Sequence, residues 1–241
     1  MTVTAHLAPA PPEPRSRGAG HGGRWLVLAT VVVVGGLGGG AFTQLVRDTL
    51  GYNWMFWINS VAGWCLPAFA VGVLAAWASG RRFPVELAAV LAGVTIELLM
   101  VAAYYVVRHE QGLHVNALVV TLWSMTAVAA GVVFGVGGAW WFAASGWRQG
   151  VGLAVIAAML IGQGVRDAVL SPGRPGHPGL VMALVGLAAA VVLARTWWQR
   201  IAVPTLAVAL LPVVAVGWLF TYSARYGSLA DVLHRVYALV Q

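Results

Sequence analysis

The chain has very little charge for its length. Of its 241 residues, 9% are Asp, Glu, Lys or Arg, whereas 60% are hydrophobic. Soluble domains carry about 25% charged residues, so this composition excludes a soluble globular protein and is typical of a chain with several membrane-spanning segments. The net charge is +7. The basic residues stand singly or in pairs between apolar runs, which is a pattern of membrane topology and not of nucleic-acid binding.

Lysine is absent and cysteine nearly so. All 14 basic residues are arginine, which excludes lysine Schiff-base chemistry and a Walker phosphate-binding loop. The single cysteine, Cys65, lies within an apolar run, so we expect no intrachain disulfide and no CxxC metal or redox pair. His109, Glu110 and His114 do not have the spacing of a zincin site. The sequence therefore predicts neither a metal site nor a cofactor.

Long apolar stretches make up most of the chain. A helix needs about 20 apolar residues to cross a bilayer, and seven stretches qualify: 25–46, 54–79, 84–107, 115–143, 151–170, 179–198 and 201–222. They predict an all-α polytopic membrane bundle of about seven transmembrane helices, which spans residues 25–222. On either side we expect a disordered cytoplasmic tail at 1–24, rich in proline and glycine, and an amphipathic interfacial helix at 223–241.

The arginines also predict the orientation in the membrane. With the N-terminus in the cytoplasm, eight arginines fall on the inner side and six on the outer side. The positive-inside rule counts basic residues only. We therefore expect a multi-pass protein of the cell (plasma) membrane with a cytoplasmic N-terminus and an outside C-terminus.

A helical hairpin is repeated along the chain. Phe69-Ala70-Val71-Gly72 near the end of the second stretch matches Phe134-Gly135-Val136-Gly137 near the end of the fourth, and a fainter third copy ends at Trp197-Trp198-Gln199-Arg200. These copies predict one leading helix followed by three hairpins, with a chance match of common membrane residues as the alternative. In this register Glu97 corresponds to Gln163, each about 20 Å along its helix from the preceding turn at 1.5 Å per residue.

Glu97 is the most informative polar residue. It stands near the middle of the apolar run 84–107, where a carboxylate costs about 2.5–3.5 kcal/mol to insert. We therefore expect it to face protein or trapped water and to act as a proton-coupled group, a substrate anchor or a general acid. The alternative is a neutral acid that only hydrogen-bonds between helices.

Together with Glu97, residues of the second repeat copy and of the second stretch predict a ligand site in the outer half of the bilayer. Gln163 stands between two glycines that would let another backbone or a ligand approach. Arg166 follows three residues later and can share the face of Gln163, either to bind an anionic group or to reach the lipid headgroups. Asn59 and Trp64 are expected at the mouth of this pocket, although tryptophan is also common at membrane interfaces.

Small and aromatic residues recur in the second and fourth stretches, at Asn59-Ser60, Gly63-Trp64, Ala68-Phe69, Val133-Phe134-Gly135-Val136 and Trp140-Trp141. Through them, residues 50–165 resemble small uncharacterised integral membrane proteins of actinobacteria. The resemblance implies a multi-span membrane fold. It implies no activity, so it assigns no catalytic residue.

Three functional hypotheses follow. The leading one is that the protein binds or transports a small molecule through the predicted pocket; because no ATPase motif is present, transport would need a proton gradient or a partner subunit. The second is an integral membrane enzyme that acts on a lipidic or isoprenoid substrate with Glu97 as the acid. It would need a second carboxylate, which the sixth and seventh stretches lack. The third is an accessory membrane subunit without a ligand. The expected partners are accordingly the lipid bilayer, a small-molecule ligand and a partner membrane subunit, and no nucleic acid.

Overall fold

The computed structural model describes residues 19–47, 49–50, 52–80, 84–170 and 177–215. Within these ranges the chain forms α-helices and no β-strand, which confirms the all-α bundle. The helices are α1 (Ala19–Leu45), α2 (Tyr52–Ile58), α3 (Val61–Ser79), α4 (Val85–Glu110), α5 (Ala117–Ala143), α6 (Trp147–Leu170), α7 (Pro178–Val192) and α8 (Gln199–Ala209). The predicted interfacial helix at 223–241 and residues 1–18 of the predicted tail lie outside the described residues.

Five of the described helices are long and apolar enough to cross a membrane: α1, α3, α4, α5 and α6. Four predicted stretches each coincide with one of them, whereas the stretch 54–79 is divided into α2 and α3 at Asn59-Ser60. The division has a local cause. Ser60 has an extended backbone, and its Oγ accepts a hydrogen bond of 2.8 Å from the backbone N–H of Gly63. Ser60 is therefore the N-cap residue that starts α3.

The sixth and seventh predicted stretches form shorter helices. α7 has 15 residues and α8 has 11, although apolar helical structure continues to Ala215. α7 starts at Pro178, which is well suited to a first helical turn, and ends at Val192, six residues before the predicted boundary. The described bundle thus has five helices of spanning length, two shorter apolar ones and the seven-residue α2, where the sequence predicted seven of similar length.

One end of the bundle gathers arginine and tryptophan. The guanidinium groups stack on indole rings with Cζ 5.0, 5.6 and 5.7 Å from the ring centroids in three pairs: Arg24 over Trp77, Arg148 over Trp140 and Arg195 over Trp141. These pairs bring together the starts of α1 and α6 and the ends of α3 and α5, so the long helices alternate in direction. Arginine and tryptophan are typical of the membrane–water boundary. We call this end of the bundle the arginine–tryptophan end. We call the other end, where α4 ends, the opposite end.

Glycines bring the helix backbones close together in the centre of the bundle. A Cβ atom at Gly131 of α5 would lie 2.5 Å from the Cα of Val94 on α4, and one at Gly135 would lie 2.5 Å from the carbonyl oxygen of Ala89. Gly40 of α1 meets the α4 backbone in the same way. Small residues at helix crossings allow this contact in membranes. α4 therefore packs tightly between α1, α3 and α5, and α6 joins α5 to the shorter α7 and α8.

The hairpins α3–α4 and α5–α6 turn at corresponding glycines. Gly80 has a φ of 55° and Gly146 a φ of 65°, in the region that favours glycine because it has no Cβ. Each glycine follows a serine, Ser79 or Ser145, directly after the helix or a short extension of it. This common turn supports the predicted two-copy hairpin repeat.

Gln199 joins two turns at the arginine–tryptophan end. Its buried side chain accepts a hydrogen bond of 3.0 Å from the backbone N–H of Arg195 and donates one of 3.3 Å to the carbonyl oxygen of Gly146. The first bond holds the turn before α8, and the second connects it to the turn between α5 and α6. Gln199 thus couples the shorter helices to the central bundle.

Replacing Gln199 by leucine is expected to lower the free energy of unfolding by about 2 kcal/mol, because both backbone groups lose their buried partner. Unfolding of the full chain in detergent micelles measures the change. Thr205→Val is the control, since this exposed hydroxyl donates a hydrogen bond to the carbonyl oxygen of Ile201 in its own helix. Equal stabilities of the two variants would contradict a coupling role for Gln199.

Candidate functional site

Glu97 lies inside the bundle on α4, with 2% of its surface exposed. Its Oε1 atom is buried and has no hydrogen-bond partner in the described part of the chain. The carboxyl group interacts with the backbone amide of Ala68 on α3. A buried polar atom without a partner costs about 1–3 kcal/mol. The carboxyl group therefore has capacity for a hydrogen bond that neighbouring helices do not supply.

The face of α3 beside Glu97 has two unusual features. Pro67, which precedes Ala68, lies within the helix and has no N–H to donate to the carbonyl oxygen of Gly63. Cys65, on the same helix, is buried and close enough to Glu97 to interact with it electrostatically. The sequence thus places a buried thiol near the carboxyl group and a proline directly before Ala68.

Trp64 lies one turn from Ala68 towards the opposite end of the bundle. Its indole Nε1 is buried and, within the described ranges, has no acceptor. The ring packs edge-on against Tyr104 of α4, with the centroids 5.7 Å apart. The hydroxyl of Tyr104 accepts a hydrogen bond of 3.5 Å from Arg47, which follows α1. Trp64 and Tyr104 therefore extend the polar region from Glu97 towards the opposite end.

Gln44, near the end of α1, completes this region. Its side chain is 1% exposed; Nε2 donates a hydrogen bond of 2.8 Å to Oε1 of Gln111, while Oε1 is buried without a described partner. Because α1, α3 and α4 pack against one another, three unpaired polar atoms belong to one group of helices. We use the name polar cleft for this set of four residues, Gln44, Trp64, Glu97 and Tyr104.

Gln163 and Arg166 lie on α6, away from the polar cleft. α6 packs against α3, α5, α7 and α8, and in the described residues it has no extensive contact with α4. Gln163 is buried and its Oε1 has no described partner. Its glycine neighbours admit other helices: a Cβ at Gly162 would lie 2.9 Å from Val214, and Gly164 meets the backbone of α7. Gln163 therefore lies on a helix that packs against α3 and α5, as α4 does, and a pocket that Gln163 shares with Glu97 stays a prediction.

The other predicted site residues have different surroundings. Arg166 is half-buried beside Asp167, whose Cβ lies 3.0 Å from the position that a Cβ would occupy at Gly179 of α7. Asn59 is exposed in the turn between α2 and α3. Of the predicted residues, Glu97 and Trp64 thus belong to the polar cleft, Gln163 and Arg166 share α6, and Asn59 lies on the surface.

Two members of the polar cleft were not predicted. Gln44 stands at the end of an apolar stretch, where a polar residue is usually read as the start of a loop, and Tyr104 has the position of an interfacial tyrosine. A clue was available in their spacing. Tyr104 follows Glu97 by seven residues, or two helical turns, which places both on one face of α4. No comparable clue links Gln44 to α4.

A groove of about 630 Å³ lies along α8, outside the polar cleft. Apolar side chains and one hydroxyl line this open groove: Trp197, Trp198, Ile201, Ala202, Thr205, Leu206 and Ala209. None of the predicted ligand-binding residues lines it. In the described ranges, no three His, Cys, Asp or Glu side chains come together as metal ligands.

Comparison with known proteins identifies the family of this chain. The model of a family of unknown function, DUF6518, matches residues 20–226, and the chain therefore belongs to that family. No curated protein and no solved structure matches the chain. The family match agrees with the resemblance to uncharacterised membrane proteins, while the actinobacterial origin of those relatives stays a prediction.

Proposed function

We propose that this member of the DUF6518 family binds a small polar molecule in the polar cleft, with Glu97 as the anchoring group, as a step in its transport. The five long apolar helices make the chain a membrane protein. One observation carries the proposal: Glu97 Oε1 is buried and has no hydrogen-bond partner among the described residues. Acidic residues in membrane-spanning helices usually mark substrate or ion pathways because their insertion is costly.

The unpaired atoms define the chemistry of a suitable ligand. Glu97 Oε1 needs a donor, whereas Trp64 Nε1 needs an acceptor. A hydroxyl group supplies both, and a protonated amine would in addition neutralise the carboxylate. The aromatic rings of Trp64 and Tyr104, which pack against each other between α3 and α4, also suit a cation. We therefore propose small amines or polyols as the ligand class.

A purely structural role for Glu97 is less well supported. A neutral acid that connects two helices should use both oxygen atoms in hydrogen bonds, since a half-satisfied polar network is costlier than an apolar contact. Here the Ala68 amide interacts with the carboxyl group, but Oε1 has no described partner. The arrangement favours an additional partner from outside the protein.

The proposal is tested by thermal unfolding of the full chain in detergent micelles with propylamine, ethanolamine or glycerol. We expect at least one probe to stabilise the protein in a saturable manner, by about 2.7 kcal/mol at a hundredfold excess over Kd. Glu97→Gln, which keeps the shape of the side chain, should abolish the effect. Glu86→Gln is the matched control, because this half-exposed glutamate lies at the arginine–tryptophan end.

Two results would contradict the proposal. One is that none of the three probes changes the unfolding temperature. The other is that the stabilisation persists in Glu97→Gln to the same extent as in Glu86→Gln, because the ligand would then bind elsewhere.

The remaining hypotheses stay predictions. An enzyme with Glu97 as the acid would need a second carboxylate at the same site; the described carboxylates near it in sequence, Glu86 and Glu110, lie at the two ends of α4. Binding of a partner subunit, the role of Gln163 and Arg166 as a second polar position, and the cytoplasmic N-terminus and outside C-terminus likewise stay predictions.

A further inference from the structure

We infer that water molecules in the polar cleft connect Glu97 with the opposite end of the bundle and pass a proton to and from its carboxyl group. The inference rests on the proposed function, since it assigns a second task to the same side chain. It would make the binding of a ligand at Glu97 dependent on a proton that comes from one face of the membrane.

Water can supply hydrogen bonds to the atoms of the polar cleft that have no described partner. Gln44 Oε1 and Glu97 Oε1 are acceptors, and Trp64 Nε1 is a donor. Left dry, each would cost about 1–3 kcal/mol. Buried water makes about three hydrogen bonds to otherwise unpaired groups and both donates and accepts. One kind of partner therefore satisfies all three atoms.

The spacing along the helices suits a short chain of water molecules. Tyr104 follows Glu97 on α4 by about 10 Å, and Trp64 lies about 6 Å along α3 from Ala68, at 1.5 Å per residue. Hydrogen-bonded oxygen atoms lie about 2.8 Å apart, so about one water molecule spans the shorter distance and about three span the longer one. The Tyr104 hydroxyl, which accepts from Arg47, then continues the chain to the end of α1.

Within the described helices, the other members of the polar cleft lie on the side of Glu97 that faces the opposite end. Towards the arginine–tryptophan end, the buried side chains of α3 and α4 are alanines and other small apolar groups, such as Val71, Ala75, Ala89 and Ala92. Buried Ser79 already bonds to the carbonyl oxygen of Ala75. Towards the opposite end, Met100 and Val101 of α4 are buried and apolar too, but that side also holds Trp64 Nε1 and the Tyr104 hydroxyl. Proton exchange is therefore expected through the opposite end.

Few charged or titratable groups surround Glu97. On α3, the titratable group near Glu97 is the thiol of Cys65. On α4 itself, Tyr104 lies two helical turns from Glu97. α5 contains no titratable residue, and Arg24 of α1 lies at the arginine–tryptophan end. Arg47 lies at the outer end of the water chain. The step is simple: hydronium gives its proton to the carboxylate, which becomes a carboxylic acid, and water remains.

Rapid-mixing infrared spectroscopy tests this step without any ligand. The full chain in phosphatidylcholine vesicles is acidified, and the carboxylic-acid band of Glu97 is assigned by its loss in Glu97→Gln. We expect the band to form on acidification in the wild type. In Tyr104→Phe, which keeps the ring against Trp64, it should form about tenfold more slowly, the kinetic equivalent of losing one hydrogen bond. Tyr105→Phe, a neighbouring tyrosine on the same helix, is the matched control.

The inference is overturned if no band depends on Glu97 at any pH, or if Tyr104→Phe and Tyr105→Phe form the band at equal rates. These results are distinguishable from a failure of the proposed function. If proton exchange is absent but the amine or polyol probes still bind, the water chain is contradicted and the proposed ligand site is not. The reverse pattern would leave a proton-binding site without a ligand.

Discussion

Replacing Gly131 by leucine is expected to prevent assembly of the bundle, or to lower its free energy of unfolding by about 3 kcal/mol or more. A Cβ atom at this position would lie 2.5 Å from Cα and 2.6 Å from the backbone nitrogen of Val94. Backbone atoms cannot move aside as a flexible side chain can. α4 and α5 would have to separate, and the contacts of Gly93 and Gly135 at the same crossing would be lost with them.

The control for this variant is Gly38→Leu. Gly38 is exposed on α1, and a Cβ atom there would meet nothing within 4 Å. Both substitutions add the same side chain to a helix, so propensity and hydrophobicity change equally. Gel filtration and unfolding in detergent micelles compare the two variants. If Gly131→Leu were as stable as Gly38→Leu, the close crossing of α4 and α5 would be wrong.

Glu97→Met is expected to raise the free energy of unfolding by about 1–3 kcal/mol while it abolishes ligand binding and proton exchange. Methionine is unbranched and apolar, so it fills a similar volume without an unpaired oxygen atom. Buried polar groups replaced by apolar ones of similar shape often leave a protein more stable. An acid that serves function and lowers stability should, when it is replaced, leave a protein that is more stable and inactive.

The same substitution distinguishes a functional acid from a structural one. If Glu97 served to connect α3 and α4 by hydrogen bonds, Glu97→Met would destabilise the protein. Unfolding in micelles therefore decides between the two roles independently of any ligand. Glu86→Met serves as the comparison: this carboxylate is half exposed and lies 3.9 Å from Arg148, so its loss should change stability by less than about 1 kcal/mol.

The secondary structure could be predicted largely from the sequence. Long apolar stretches must form helices in a bilayer because every backbone group needs an internal hydrogen bond. The stretch 54–79 was predicted as one helix because its apolar length outweighed the signal of Ser60, a favoured N-cap residue. The end of α7 at Val192 has no signal in the sequence either, because Leu193 and Ala194 continue the apolar run.

The composition of the site could be predicted only in part. Pairing Glu97 with Gln163 used their equal distances from two hairpin turns, and those turns do correspond at Gly80 and Gly146. Equal depth does not make two side chains neighbours, however. Each helix is also rotated about its axis, and close glycine contacts such as Gly131 with Val94 decide which helices meet. Glu97 stands on α4 and Gln163 on α6, and both helices pack against α3 and α5.

By itself, the sequence determined that this is an all-helical membrane protein with a costly acid, Glu97, near the middle of an apolar run. Length, hydropathy and the scarcity of charge suffice for that, because the bilayer leaves the backbone few alternatives. The tertiary structure decided what surrounds Glu97: Trp64 and Tyr104 in the polar cleft, with Gln44 from α1. Those neighbours depend on close contacts between residues far apart in the chain, which no local pattern of residues encodes.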